Sequence, residues 1–352
     1  MRIAHLTWSM GIGGIQTMLT SIVNIQVNEG HEVGIFVIDT YVSDTIMSKL
    51  DPRVKVFFMG RIRGTKPLWP FVKLNWELWK YKPDIIHSHA GKLIKVVLSK
   101  APCIATIHGP NCNPKDYKKY EILCAISKYV QQEWTSKWDI TPLLTENGID
   151  CKKIKTIANI QNSNELHFVQ VSRIKFDPKG QDILVKAFSM LLHRLKNENN
   201  KKKCFLHFVG DGLDIDKLKR LIDDYQINDY IKLEGFRDPK WVQEHLCKYD
   251  LFLQPSRREG FGLTVAEACA AKVPVLVSDI EGPLEIIDNG KLGMTFRCGD
   301  VDDLADKLYH FVMEGRNNKQ VEAAYNHTIN HYDIHVTTAK YMDVYNRVLR
   351  NQ

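Results

Sequence analysis

The feature that most constrains this chain is a series of short apolar runs, each closed by a glycine, proline, serine or charged residue, which occurs twice. The first half carries RIAHLTW (2–8), EVGIFVID (32–39), DIIHSH (84–89), CIATIHG (103–109) and ILCAIS (122–127), with a helical stretch over 14–29. The series restarts at LHFVQVSRI (166–174) and continues through CFLHFVGDG (204–212), YIKLEGF (230–236), YDLFLQPS (249–256) and VPVLVSD (273–279). Strand-length runs separated by helical stretches predict an α/β fold with two parallel sheets and crossover helices. Such sheets hold ligands at the carboxyl ends of their strands, where this chain places its turn residues. The polar run CKKIKTIANIQNSNE (151–165) is the expected hinge between two domains, a number that suits 352 residues. A last apolar stripe of Val336, Tyr341, Val344, Tyr345 and Val348 predicts a terminal helix docked on one of the domains.

Charge narrows the partners. Residues 1–165 hold 21 Lys+Arg against 14 Asp+Glu, while residues 166–352 hold 27 of each, so the whole net charge of +7 lies in the first half. An anionic partner such as phosphate, acidic lipid or acidic sugar is expected there. Nucleic acid is not expected, because no recognition motif accompanies the charge. No apolar run reaches the length of a membrane span. The opening MRIAHLTWSMGIGG lacks the basic region and cleavage site of a signal peptide. The eight cysteines form no CxxC pair, which predicts reduced thiols and a cytoplasmic protein rather than a zinc site or a disulfide framework.

The stretch RREGFGLTVAEACAA (257–271) joins a strand to a helix through a glycine turn and sets Glu259 and Glu267 on either side of it. Unpaired N–H groups and the dipole at a helix start favour phosphate, and Gly260 and Gly262 let the backbone approach it. The two carboxylates could then accept hydrogen bonds from sugar hydroxyls; a helix cap and a solvent-facing acid would also account for them. In SRIKFDPKG (172–180), Arg173 and Lys179 flank a turn just past a strand, where paired cations suit a diphosphate leaving group; ordinary surface cations are the alternative. MGIGGIQTML (10–19) places Gly11, Gly13 and Gly14 between strand and helix, but Gln16 and Thr17 break the dinucleotide fingerprint. His87, His89 and His108 lie at strand ends; their spacing is poor for zinc, and His108, before Gly109 and Pro110, is the best placed to be functional.

Together these stretches resemble the retaining glycosyltransferases of family 4, which have the GT-B fold. The resemblance runs from GIGGIQTML and NEGHEV through KPDIIHSHAGK, ATIHG, SKYV and TENGID to VSRIKFDPKGQDILVKAF, FVGDGLDIDKLKRLI, IKLEGF, the 249–279 stretch and GPLEIIDNGKLG. It implies two Rossmann-like domains whose parallel sheets face each other across a cleft: an N-terminal acceptor-side domain over 1–162 and a nucleotide-sugar-binding domain over 163–331. A C-terminal helix over 332–352 would return to the first domain. By the same resemblance, Glu259 would bind the donor sugar, Glu267 the ribose, and Arg173 and Lys179 the diphosphate. The backbone of Gly260, Phe261, Gly262, Leu263 and Thr264 would assist. Gly13 and Gly14 would approach the donor from the first domain, Gly235 would frame the base, and His108 would contact the transferred sugar near its anomeric carbon. His108, Arg173, Lys179 and Glu259 are thus the expected catalytic set.

The implied reaction moves a hexose-type sugar from a nucleotide diphosphate sugar, UDP before GDP, to a saccharide or lipid-linked acceptor in cell-surface polysaccharide, lipopolysaccharide, capsule or glycolipid synthesis. No acid presents itself as a double-displacement nucleophile and no DxD-type motif is convincing, so front-face retention without metal or other cofactor is expected. An epimerase on the same architecture and a non-catalytic nucleotide-sugar-binding subunit are the rivals; a dehydrogenase lacks its loop. Two positions depart from the family pattern, Lys272 and Glu281, each where glycine is common. The stretch 60–84 interleaves Arg61, Arg63, Lys66, Lys73, Lys80 and Lys82 with Trp69, Phe71, Trp76 and Trp79. An ordinary packed helix would explain it, and the other expectation is peripheral contact with an anionic bilayer at the inner face of the plasma membrane.

Overall fold

The structure, a computed structural model, describes residues 1–157 and 164–350; the expected domain boundary at 162/163 lies outside the described residues. The chain forms two units, Met1–Asp150 with Tyr332–Gln352, and Cys151–His331. Local backbone bonds accompany the division after Asp150. Ile149 exchanges backbone hydrogen bonds with Tyr332 and Ile334, whereas Lys155 donates its N–H to Gln243 O.

In the first unit, β1 (Arg2–Thr7), β2 (Glu32–Asp39), β3 (Lys55–Arg61), β4 (Ile85–Ser88), β5 (Cys103–Ile107), β6 (Ile122–Ala125) and β7 (Leu143–Leu144) form one sheet of order β3-β2-β1-β4-β5-β6-β7. All its pairings are parallel. The second unit has β8 (Glu165–Val171), β9 (Lys203–Val209), β10 (Ile231–Gly235), β11 (Leu251–Gln254), β12 (Val275–Ser278) and β13 (Met294–Phe296) in the order β10-β9-β8-β11-β12-β13, again parallel throughout. Parallel neighbours require crossovers, which cover both faces with helices, so β4, β5, β11 and β12 are buried at every position. That is why the central strands read as unbroken apolar runs. The edge strands β3, β7 and β13 are only partly buried and went unread in the sequence, whereas β10, also an edge strand and partly exposed, was read as YIKLEGF.

Both sheets reverse direction beside their first strand, at β1/β4 and at β8/β11. Connections leave those neighbouring strands toward opposite sides, which opens a crevice at their carboxyl ends, the usual ligand position in open α/β sheets.

The terminal helix Ile334–Arg350 belongs to the first unit. It buries Ile334, Thr337, Thr338, Tyr341, Met342, Val344, Tyr345 and Val348, several of them in a cluster with Met18, Ile22 and Ile25 of the helix Gly14–Asn28. Val336, expected in that stripe, is only partly buried; Ile334 takes the inward position at the first turn. Lys340 pairs with Glu146 at 2.5 Å, and Thr337 donates its hydroxyl to Glu146 O, which ties the helix start to the segment read as TENGID.

Candidate active site

The crevice of the second unit is built from two strand-end connections held together by their own side chains. One follows β8 and contains Arg173 to Gly180; the other follows β11 and contains Arg257 to Gly262. Arg257 donates to both carboxylate oxygens of Asp182 at 2.9 and 2.7 Å and to Phe176 O at 2.8 Å, and its backbone N–H donates to Pro178 O. Arg258 donates to Asp177. Gly180, with φ +72°, lies so close to the neighbouring connection that a Cβ would fall 1.9 Å from Pro255 O. Only glycine lets the two turns meet at this distance.

This framework brings Lys179 Nζ to 2.5 Å from Glu259 Oε2, with both side chains about one-fifth exposed (23% and 20%). Gln254, the last residue of β11, donates to the same carboxylate oxygen at 3.2 Å. Gln170 of β8 donates to Lys179 O at 2.9 Å, which fixes the backbone carrying the lysine. Gln170, Gln254 and Ser256 are buried polar residues that sequence reasoning missed. Their signal was a polar residue inside or just after an apolar strand, as in HFVQV and LFLQPS.

Past Glu259 the chain enters the helix Leu263–Ala270 through Gly262, whose φ of 104° places it in the left-handed region. No side chain caps this helix, and among the described residues no carbonyl receives the N–H groups of Leu263 and Thr264. They remain free to meet an anion. Gly282 backs the turn, since a Cβ there would lie 2.7 Å from Glu259 O and 3.0 Å from Phe261 N. Glu267 sits further along the helix. It keeps some solvent-accessible surface, but protein crowds its carboxyl group and burial raises its pKa to about 7. With the folded-state value above the ordinary 4.5, the unfolded chain ionises first, so stability contributed by the neutral acid is lost as pH rises from 4.5 toward about 7.

The other expected residues are distributed as follows. Arg173 lies on the β8 connection with its side chain exposed and, among the described residues, without an ion pair. Gly235 ends β10 with φ +68° and accepts a hydrogen bond from Gly210 N–H. Gly13, Gly14 and His108 belong to the first unit: Gly14 begins the helix after β1, and His108 follows β5. Burial lowers the His108 pKa to about 4. Asp39, at the end of β2, pairs with Arg61 at 2.5 Å.

A family profile described as "Glycosyltransferase Family 4" matches residues 12–153, and one described as "Glycosyl transferases group 1" matches residues 153–327. The chain belongs to the family 4 glycosyltransferases. An uncharacterized glycosyltransferase of Methanocaldococcus jannaschii is 26% identical over 68% of this chain and 67% of its own length. The Escherichia coli UDP-Gal:alpha-D-GlcNAc-diphosphoundecaprenol alpha-1,3-galactosyltransferase is 24% identical over 98% of this chain and 96% of its own. The crystal structure of a glycosyltransferase from Rickettsia africae covers 100% of this chain and 99% of that one, with a TM-score of 0.80 and 21% identity, and has the same fold.

The two departures of this glycosyltransferase from its family pattern differ in consequence. Lys272 occupies the left-handed region at φ 57° in the turn before β12, at the end of the sheet opposite the crevice. An ion pair to Glu322 at 2.8 Å and the ring of Tyr325 at 4.4 Å hold it there, which offsets the strain a glycine would avoid. Glu281 is exposed at the start of the helix Glu281–Ile286, next to the glycine that backs the Glu259 turn. A charge has therefore been added beside the site.

Proposed function

We propose that this glycosyltransferase moves a hexose-type sugar from a nucleotide diphosphate sugar, UDP- before GDP-, to a saccharide or lipid-linked acceptor with retention at the anomeric carbon. The observation that carries the reading is the Lys179–Glu259 pair at the β8/β11 crevice, beside the unmatched N–H groups of Leu263 and Thr264. A bound diphosphate would take over the Lys179 ammonium and those amides, and Glu259, still oriented by Gln254, would accept hydrogen bonds from sugar hydroxyls. As the bond to the anomeric carbon breaks, Lys179 and Arg173 neutralise the charge growing on the leaving phosphate. That phosphate takes the acceptor's proton on the same face. The family resemblance assigns His108 to the transferred sugar, Gly13 and Gly14 to the approach of the donor from the first domain, and Gly235 to the base.

Glu267 gives this reading a pH signature. Ribose hydroxyls donate to the ionised carboxylate, so binding should release a proton that the free enzyme holds below pH about 7. Affinity for UDP-glucose, whose diphosphate does not titrate in this range, should rise about tenfold for each pH unit approaching that value from below and then level off. Calorimetric titration across the range checks this. A pH-independent affinity in the parent, or an unchanged slope in Glu267→Gln, would remove Glu267 from the ribose site.

The helix Trp69–Tyr81 supports a membrane-facing acceptor side. It buries Pro70, Leu74, Leu78 and Tyr81 and leaves Trp69, Val72, Trp76 and Trp79 exposed, with Trp69 at 69% and Trp79 at 66%. Ordinary packing explains only the first face. Exposed tryptophans flanked by Arg63, Lys66, Lys73 and Lys80 suit the boundary of an anionic bilayer. Among the described residues no helix is long and apolar enough to cross a membrane. The triple variant Trp69→Ala, Trp76→Ala, Trp79→Ala should lose cosedimentation with phosphatidylserine vesicles while keeping turnover of a soluble acceptor. Equal cosedimentation of variant and parent refutes the contact.

A further inference from the structure

Beneath the strand ends of the first unit, the buried side chains of Gln26, His5 and His89 form one hydrogen-bonded line with the partly buried His108. Gln26 Oε1 lies 2.8 Å from His5 Nε2, His5 Nδ1 lies 3.2 Å from His89 Nε2, and His89 Nδ1 lies 3.3 Å from His108 Nε2. His108 Nδ1, at the end of the line, is a buried atom that has no partner among the described residues. The direction of the line is set at its other end. Gln26 points its amide nitrogen at Met342 Sδ (3.8 Å) and Tyr345 Oη (3.5 Å), both on the terminal helix. A thioether accepts weakly and cannot donate, and the Tyr345 hydroxyl can accept, which favours the NH₂ facing them and the carbonyl oxygen facing His5.

Each step then follows. Desolvation lowers the pKa of His5 and of the three strand-end histidines, to about 4 for His5 and His108 and well below the ordinary range for His87 and His89, so each ring is neutral at pH 7 with a single N–H. His5 must donate from Nε2 to Gln26, which makes its Nδ1 an acceptor. His89 donates to that atom from Nε2, and His108 donates from Nε2 to His89 Nδ1. His87 stands outside the line, engaged by Tyr345 at 2.6 Å and by Thr106 at 2.8 Å. The nitrogens of His5, His87 and His89 are close enough to suggest a metal, but every one of them is already in one of these hydrogen bonds.

We propose that Gln26, His5 and His89 are positioning residues that lock His108 as its Nε2–H tautomer, leaving Nδ1 as an unmet acceptor for a hydroxyl of the transferred sugar. The proposal rests on the assignment of His108 to that sugar. A buried lone pair without a donor carries an unmet hydrogen bond, so a hydroxyl reaching it gains the whole interaction. Reversing the Gln26 amide would reverse every bond in the line and present an N–H at the same place. That would disfavour a hydroxyl acting as donor.

Long-range ¹H–¹⁵N spectra of the full chain read the tautomer with no substrate present. His108 should show an unprotonated Nδ1 and a protonated Nε2. Gln26→Leu removes the acceptor that sets the direction and should mix the tautomers, whereas Gln26→Glu keeps an oxygen facing His5 and should restore the parent pattern even if the leucine variant folds poorly. With a sugar nucleotide, Gln26→Leu should lower kcat about tenfold, the worth of one hydrogen bond, with KM for the donor within about twofold, and Gln26→Glu should recover most of it. An Nδ1–H form of His108 in the parent, or an unmixed tautomer and unchanged kcat in Gln26→Leu, overturns the proposal. The expected tautomers together with no turnover of any sugar nucleotide would instead count against the donor reading.

Discussion

Lys179→Ala is expected to lower kcat by about two to three orders of magnitude, the usual loss when a group aimed at developing charge is removed. Lys179 is the cation that the fold holds against the candidate sugar ligand: Gln170 pins its backbone and Glu259 holds its ammonium at 2.5 Å. Removing it leaves Glu259 with Gln254 and partial solvent exposure, so the fold should survive and the melting temperature should change little. Steady-state kinetics with the donor saturating, alongside a thermal melt, separates the two effects. Near-parental kcat in a folded variant would take Lys179 out of the reaction.

Gly180→Ala should act through structure instead. The new methyl would enter at 1.9 Å from Pro255 O on a backbone with φ +72°, and the partner there is main chain that cannot swing aside. Overpacking and left-handed strain together should cost about 2–4 kcal/mol, a fall in melting temperature of roughly 5–15 °C. Gly299→Ala is the control. Its φ is +83° but nothing lies within 4 Å of the added atom, so it should cost only the conformational part, about 1 kcal/mol. Equal shifts in the two variants would mean that the contact between the 173–180 and 255–262 turns is not tight. A small shift in Gly180→Ala with lost turnover would place the damage at Lys179 alone.

The residues that sequence reasoning could find are those whose chemistry is local. Glu259, Glu267, Gly262 and Lys179 stand out because carboxylates, glycines and a lysine crowd the joint between a strand and a helix. The central strands were legible because helices cover both their faces, while β3, β7 and β13 at the sheet edges lack that double burial. What holds the site together was not legible. Arg257 and Asp182 are 75 positions apart, and only the β8/β11 adjacency makes them partners. Gln26 and His5 are likewise an ordinary helix residue and an ordinary strand residue until the fold joins them and the terminal helix brings Met342 and Tyr345 against Gln26. The Lys272 turn shows the opposite case: a departure that looked unusual in sequence is accommodated by Glu322 and Tyr325, away from the crevice.

The position of a bound sugar nucleotide decides the central claim most directly. In a crystal structure of this glycosyltransferase with UDP-glucose, the diphosphate is expected within hydrogen-bonding distance of Lys179 Nζ and of the N–H groups of Leu263 and Thr264, with the ribose toward Glu267. A nucleotide lodged away from both the 173–180 and 259–267 segments would contradict it.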